Sequence, residues 1–253
     1  MTSAGPPQGR QPPSSRDRAQ REGATRTARF IARAVLIDLD GTLVDSLPDI
    51  ACATNSMREE FGLSPLAARQ IASYVGKGVD VLVHRALTET MDDQAPPDVF
   101  ERGKRSFNRR YSEVNGNESH TYPGVQQALE ELRGKAIPLA CVTNKPRSFT
   151  LQLLERTNLK AAFSAIVSGD DTEEKKPHAA PMLRACQLLG VAASDATVIG
   201  DSENDALAAR AAGCRVIIVE TGYNEGKSLA DLDADAIVPT LLHAARVIEP
   251  RSL

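Results

Sequence analysis

The sequence predicts an α/β protein: a doubly wound parallel-sheet core with a helical module inserted after its first strand. Short, unbroken apolar runs recur along the chain, as in "AVLI", "IPLACV", "AIV", "ATVI" and "RVIIV". Runs of this length without polar alternation suit strands buried on both faces, as in a parallel sheet covered by helices. From Tyr122 onward they alternate with stretches of helical periodicity, the rhythm of a doubly wound core. Between the first run and Tyr122 the apolar spacing is helical throughout, so this block interrupts the sheet instead of extending it.

Taken in order, residues 1–30 are an extension rich in Pro, Gln, Ser, Gly and Arg, without apolar periodicity. Such a segment buries too little to offset the entropy of ordering and is expected to be disordered. Residues 31–46 open the core with the "AVLI" strand and an acidic loop. The helical block occupies residues 47–119. Ile50, Ala53, Met57 and Phe61 mark its first helix, which Gly62 stops, and Ser64-Pro65 opens a second through Ile71, Tyr74 and Val75. "GKG" at Gly76 to Gly78 breaks that helix; Val79, Leu82, Val83 and Leu87 mark a third, and Phe100, Phe107 and Tyr111 a fourth. The core resumes over residues 120–250. Its helices carry Val125, Leu129 and Leu132, then Phe149, Leu153 and Leu154, then Met182 to Leu189, then Ala206 to Ala212, each leading into the next strand.

Composition narrows the function classes. No apolar run approaches the roughly 18 residues of a membrane helix, and the N-terminus lacks the apolar centre of a signal peptide, so a cytoplasmic setting without a membrane partner is expected. Cys52, Cys141, Cys186 and Cys214 are dispersed with no CxxC spacing, which predicts reduced, buried thiols and no disulfide framework or zinc site. The net charge of −3 hides an asymmetry: the extension holds six Arg against Asp17 and Glu22, which leaves the remainder more acidic still. An acidic core repels phosphate backbones, so nucleic acid is not an expected partner. The oligomeric state is not legible.

The chemistry collects at the strand ends, where open parallel sheets bind ligands. The stretch "VLIDLDGTLVDS", Val35 to Ser46, delivers two carboxylates two residues apart. Side chains alternate along a strand, so Asp38 and Asp40 point to the same side while Leu39 turns into the core. Like charges this close repel unless a cation or a proton separates them. Other strand ends bring Thr143, Asn144 and Lys145; Asp170 and Asp171; and Asp201 with Asp205, while Lys176 follows shortly after the third. Carboxylates with a hydroxyl, backbone N–H donors and a fixed ammonium make a set suited to a hard divalent cation and to phosphoryl transfer.

These motifs resemble those of the haloacid dehalogenase superfamily of phosphohydrolases: "DLDGTL" its first, "VTN" its second, "KKP" its third and "GDSEND" its fourth, in order over residues 33–240. The resemblance implies a Rossmann-like core with a helical cap inserted after the first motif. It implies Asp38 as the nucleophile that forms an aspartyl-phosphate and Asp40 as the acid that protonates the leaving group and then deprotonates water. Thr143 and Lys176 would steady the phosphoryl group. Mg²⁺ would be held by the Asp38 side chain, the Asp40 main-chain carbonyl and Asp201, with Asp205 in a supporting metal-site role. Lys175 is a rival to Lys176, which directly precedes the proline as the family lysine does.

Within the superfamily, "VGKGVDVLVHRAL", "YPGV", "LACVTNKP" and "GDSENDALAARAAGC" resemble the phosphoglycolate phosphatases, which implies hydrolysis of 2-phosphoglycolate, a small phosphorylated metabolite, to glycolate and phosphate. Alternatives are a phosphatase for another small metabolite such as a sugar phosphate or pyrophosphate, a β-phosphoglucomutase-like isomerase, and a non-catalytic phosphometabolite sensor. A small anionic substrate wants a cation from the cap as well as donors such as those of Asn144. Lys77, between two glycines, is the first candidate and Arg85 the second.

Overall fold

The computed structural model describes residues 29–251. The expected disorder of the N-terminal extension thus falls almost wholly outside the described residues. At its inner edge one correction arises: Phe30, assigned to the extension from sequence, is buried and begins strand β1 (Phe30–Ala32). Its partner is the last strand of the chain, β10 (Ile248–Pro250), in a short parallel pair.

Six strands form the central sheet: β2 (Ala34–Ile37), β5 (Leu139–Val142), β6 (Ala165–Val167), β7 (Ala196–Gly200), β8 (Arg215–Val219) and β9 (Ala236–Val238). They lie in the order β6-β5-β2-β7-β8-β9 and every pairing is parallel. Alternation of side chains divides the sheet into two buried faces. Val35, Ile37, Leu139, Cys141, Ile199 and Ile217 pack on one side with α5 (Val125–Gly134), α6 (Arg147–Arg156) and α9 (Leu241–Val247). Leu36, Ala140, Val142, Val198, Val216 and Ile218 pack on the other with α7 (Ala180–Leu189) and α8 (Glu203–Ala212). Helices on both faces explain why all four residues of β2 are buried and why no polar alternation shows in it.

The helical block comprises α1 (Leu47–Glu60), α2 (Ala68–Tyr74), α3 (Val79–Thr88) and α4 (Pro97–Val114), packed around Met57, Ile71, Val83, Phe107 and Tyr111 in a hydrophobic cluster of their own. Helix α2 starts later than the Ser64-Pro65 signal predicts. The Asn55 side chain explains this: it accepts from Leu66 N–H at 2.8 Å and donates to Leu66 O at 3.0 Å, which holds that residue out of the helix. The two crossings between block and core lie side by side as a short antiparallel ribbon, β3 (Val44–Asp45) with β4 (His120–Thr121). Buried Asp49, in the first turn of α1, accepts the backbone N–H groups of Gly116, Glu118 and Ser119 at 2.9–3.0 Å and so ties the exit strap to the entry helix. Of the cysteines, Cys141, Cys186 and Cys214 are buried and free, whereas Cys52 is exposed on α1, contrary to the expectation of burial.

Candidate active site

The strand order reverses beside β2, and the chain leaving β2, β5 and β7 there delivers Asp38, Thr143 and Asp201 to one crevice. The Asp38 N–H donates to Ile199 O at 2.9 Å, so the ladder continues one residue past β2 before the chain turns. Leu39 is fully buried, and its carbonyl accepts from the N–H groups of Leu43 and Val44, both at 3.0 Å. That turn passes so close to Asp201 that a Cβ on Gly41 would lie 2.5 Å from its Oδ2. Gly41 also has φ +94°, which a side chain would strain. Asp38 and Asp40 both line the resulting cavity.

Asp38, Asp201 and Asp205 each bring a carboxylate oxygen within 4.8 Å of the others. Thr42 Oγ1 donates to Asp201 Oδ1 at 2.8 Å, and Tyr223 N–H donates to Asp201 Oδ2 at 3.0 Å. Asp205 accepts the hydroxyl and N–H of Ser202 in the capping box that starts α8. Lys176 Nζ sits among them, with Asp38 Oδ1 at 2.6 Å, Asp205 Oδ1 at 2.7 Å and Val142 O at 2.9 Å, so all three of its donor directions are used. One ammonium pairs with two of the three clustered carboxylates and leaves Asp201, among the described residues, without a cation. Burial lifts the Asp38 pKa to about 7 against the pull of Lys176, and Asp205 adds to the rise. Asp201 is likewise raised well above its usual value, by burial and then by repulsion from Asp38 and Asp205. For Lys176 burial pushes the other way, but its two carboxylate partners outweigh it and hold the amine charged. An oxygen-only cluster with surplus negative charge fits a hard divalent cation.

The Asp40 side chain stands outside that cluster. It accepts from Ser46 Oγ at 2.5 Å and from Lys145 Nζ at 2.8 and 3.1 Å. Any share of Asp40 in a metal site therefore falls to its main chain. Lys145 also donates to Tyr111 Oη at 2.6 Å, so one buried ammonium joins Asp40 to helix α4. Sequence reading placed Lys145 at a strand end without giving it a role. The available signal was electrostatic, since Asp40 was left with no counter-charge of its own.

Thr143 is buried and lines the cavity. Asn144 lines it too, but its side chain is already engaged: Nδ2 donates to Gly76 O at 2.9 Å and Lys176 O at 2.8 Å, and Oδ1 accepts from Lys176 N–H at 2.8 Å. It braces the loops around the crevice and has no amide left for a substrate.

Lys77 and Arg85, expected to reach into the crevice, are not among the residues lining it. Both pair with Glu225 Oε1, at 3.3 and 2.8 Å, and Arg85 is buried there with Met91 O at 3.0 Å from its Nε. The cause is a core loop invisible to local sequence reading. Thr221 Oγ1 anchors it to Gly41 O at 2.9 Å, and Tyr223 Oη accepts the N–H groups of Ser46 and Leu47 where α1 begins. This places Glu225 under α3. Burial raises the Glu225 carboxyl, but Arg85 and then Lys77 outweigh it, and its pKa ends below the usual value.

The cavity encloses about 60 Å³, at roughly 10–15 Å³ per water-sized centre the room for a few small groups. Its floor is Asp38, Asp40, Thr143, Lys145, Lys176 and Asp201; its roof is Ile50, Val75, Val79, Leu82, Phe107 and Tyr111 from the helical block.

Comparison with known proteins agrees with this geometry. Residues 35–219 match the family model of the haloacid dehalogenase-like hydrolases. The chain is 44% identical over 220 residues to the phosphoglycolate phosphatase of Nitrosospira multiformis, covering 87% of this chain and 97% of that one. It is 47% identical over 206 residues to the phosphoglycolate phosphatase of Chromobacterium violaceum, covering 81% and 93%. Among solved structures it is similar to the crystal structure of a predicted phosphoglycolate phosphatase from Haemophilus somnus, with a TM-score of 0.80 and 32% identity over 88% of this chain and 99% of that one.

Proposed function

The chain belongs to the haloacid dehalogenase-like hydrolases and is a phosphatase, and from that premise we propose that it hydrolyses 2-phosphoglycolate to glycolate and phosphate through an aspartyl-phosphate on Asp38. One observation carries the mechanism: Asp38 and Asp40 line the same cavity yet have separate partners, Lys176 for one and Ser46 with Lys145 for the other. Two carboxylates held in different environments are suited to different tasks.

In the first half-reaction an Asp38 carboxylate oxygen bonds to phosphorus as the bond from phosphorus to the glycolate oxygen breaks. The departing oxygen takes its proton from Asp40, which lies on the same side of the turn. In the second, Asp40 takes a proton from water as that water bonds to phosphorus and the Asp38–phosphorus bond breaks. Phosphate leaves, and both carboxyls return to their starting states. Thr143 Oγ1 and the backbone N–H groups of the crevice supply donors for the phosphoryl oxygens, while Lys176 offsets charge at Asp38. Asp38 and Asp201, with the Asp40 main chain and with Asp205 supporting, would hold Mg²⁺, which supplies charge neutralisation at the phosphoryl group. The apolar roof keeps bulk water from the reacting atoms. Free cysteines and the absence, among the described residues, of a helix able to cross a membrane accord with a cytoplasmic setting.

Free-phosphate release from 2-phosphoglycolate, hexose phosphates, phosphoserine, pyrophosphate and a nucleotide, with and without Mg²⁺, tests this. The expected result is Mg²⁺-dependent release with 2-phosphoglycolate preferred, abolished by Asp38→Asn. Preference for another ester rejects the substrate; undiminished turnover by Asp38→Asn rejects the intermediate.

A further inference from the structure

A carboxylate drawn into an apolar-roofed cavity loses its water and requires a cation or several donors in exchange. The cations around the crevice are nearly all engaged. Lys176 is shared between Asp38 and Asp205, Lys145 is held by Asp40 and Tyr111, and Lys77 and Arg85 are on Glu225. Lys104, at the outer edge, pairs with Asp80 at 2.7 Å.

Lys175 differs from all of these. Among the described residues it has no ion pair and no side-chain hydrogen bond, although it is half-buried. Its side chain lies along the seam between core and helical block: a Cβ added to Gly78 would stand 3.3 Å from Lys175 Nζ and 3.3 Å from Asn144 O. Gly78 and Asn144 both line the reaction cavity. Lys175 itself lines a larger outer cavity of about 450 Å³, which shares Val79 and Pro146 with the inner one. Asp80 and Asp170 also line that outer space, but each has a partner of its own, Lys104 Nζ for the first and Arg147 N–H for the second. The lysine thus stands where the two cavities adjoin, with its charge uncommitted.

We propose that Lys175 is the specificity residue of this enzyme: its ammonium receives the carboxylate of the substrate while the phosphoryl group occupies the floor beside Asp38. The inference rests on the phosphoglycolate reading above and adds the residue that enforces it. A lysine suits the task because its ammonium is a compact point charge on a flexible four-carbon stem, able to swing from the outer cavity onto a bound anion. It also accounts for selectivity without Lys77 or Arg85.

The test compares two esters of similar size, 2-phosphoglycolate and 2-hydroxyethyl phosphate, which carries a neutral hydroxymethyl group in place of the carboxylate. Wild type, Lys175→Met and Lys175→Arg are assayed for kcat and KM on both. Loss of one charge-assisted contact predicts a KM for 2-phosphoglycolate raised about 10- to 100-fold in Lys175→Met. The same variant keeps its kcat and its kcat/KM on the neutral ester, and Lys175→Arg recovers part of the loss. An unchanged KM for 2-phosphoglycolate, or an equal loss on both esters, overturns the proposal. Lys175→Arg guards against a folding defect in the methionine variant, since a carboxylate receptor predicts that it still discriminates between the esters. The wild-type pair keeps the two readings apart. A preference for the carboxylate that survives Lys175→Met removes only the lysine's role, whereas no wild-type preference removes the substrate reading and the lysine's role with it.

Discussion

On the floor of the cavity the charged groups are tightly partnered: Lys176 lies between Asp38 and Asp205, Lys145 on both oxygens of Asp40, and Asp201 alone has neutral donors, Thr42 and Tyr223 N–H. The roof above it is built from Ile50, Val75, Val79, Leu82 and Phe107, and its nearest cations face away, onto Glu225. The contrast shows how labour is divided. The sheet supplies a pre-set electrostatic arrangement in which little must move during reaction, and the helices supply exclusion of water. Tyr111 is the exception, a roof residue that hydrogen-bonds Lys145 and through it reaches Asp40.

If this division holds, changes to the floor act on kcat and changes to the roof's attachment act on stability. Lys145→Met is the sharpest test. It strips Asp40 of its cation and, if Asp40 moves the proton, lowers kcat by about 10²- to 10³-fold in steady-state assays, with KM little changed. A loss confined to KM would place Lys145 with the substrate instead. Next comes the attachment: Glu225→Gln leaves Arg85 buried with less compensation and should cost about 1–3 kcal/mol in thermal or urea melts, while kcat falls less than in Lys145→Met. The pH dependence has a definite sign. Because the folded-state pKa of Glu225 is lowered, its contribution is complete above the unfolded value near 4.5 and disappears as pH falls through the folded one. The gap between wild type and Glu225→Gln therefore narrows in acid; a gap independent of pH would contradict the ion pair.

A smaller effect separates the two halves by metal. Asp38 has a folded pKa of about 7 against 3.8, so the metal-free native state holds an extra proton between those values and loses stability as pH rises through the window. Melting scans with chelator or with Mg²⁺ should show a larger cation-induced gain in Tm at pH 8 than at pH 5.5. Asp38→Asn should flatten that difference, whereas Glu225→Gln should preserve it. Smallest of all, Cys52→Ser on the exposed face of α1 should change stability by no more than about 0.5 kcal/mol, because that thiol faces solvent and touches neither the floor nor the Glu225 attachment.

Legibility followed the same boundary. Asp38, Asp40, Thr143 and Asp201 could be brought to one crevice from sequence because each closely follows a continuous apolar run, and strand ends converge by topology alone, whereas Lys176, in the polar loop after β6, was placed by the resemblance of "KKP". Strands β2, β5, β7 and β8, of four or five residues, announced themselves as apolar runs and eight of the helices by periodicity, while three-residue β6 was read from its place between two helical stretches. Strands β1, β3, β4, β9 and β10 did not, since two or three residues carry no period and depend on a partner distant in sequence. The same holds for Arg85. Its neighbours on α3 say nothing of a glutamate 140 positions later, so a buried ion pair looked like an available substrate cation.

The position of β2 has a consequence for how the protein is made. Leu36 pairs with Ala140 on one side and Val198 on the other, the second roughly 160 residues later in the chain, and pairings of such long range form slowly. The four helices of the inserted block lie wholly within residues 47–114 and collapse around their own apolar cluster. On a ribosome, then, the roof is complete while the strand that carries Asp38 still lacks a neighbour. Until β7 emerges β2 has an open edge, so a stalled or truncated chain presents that hydrophobic strand to other chains.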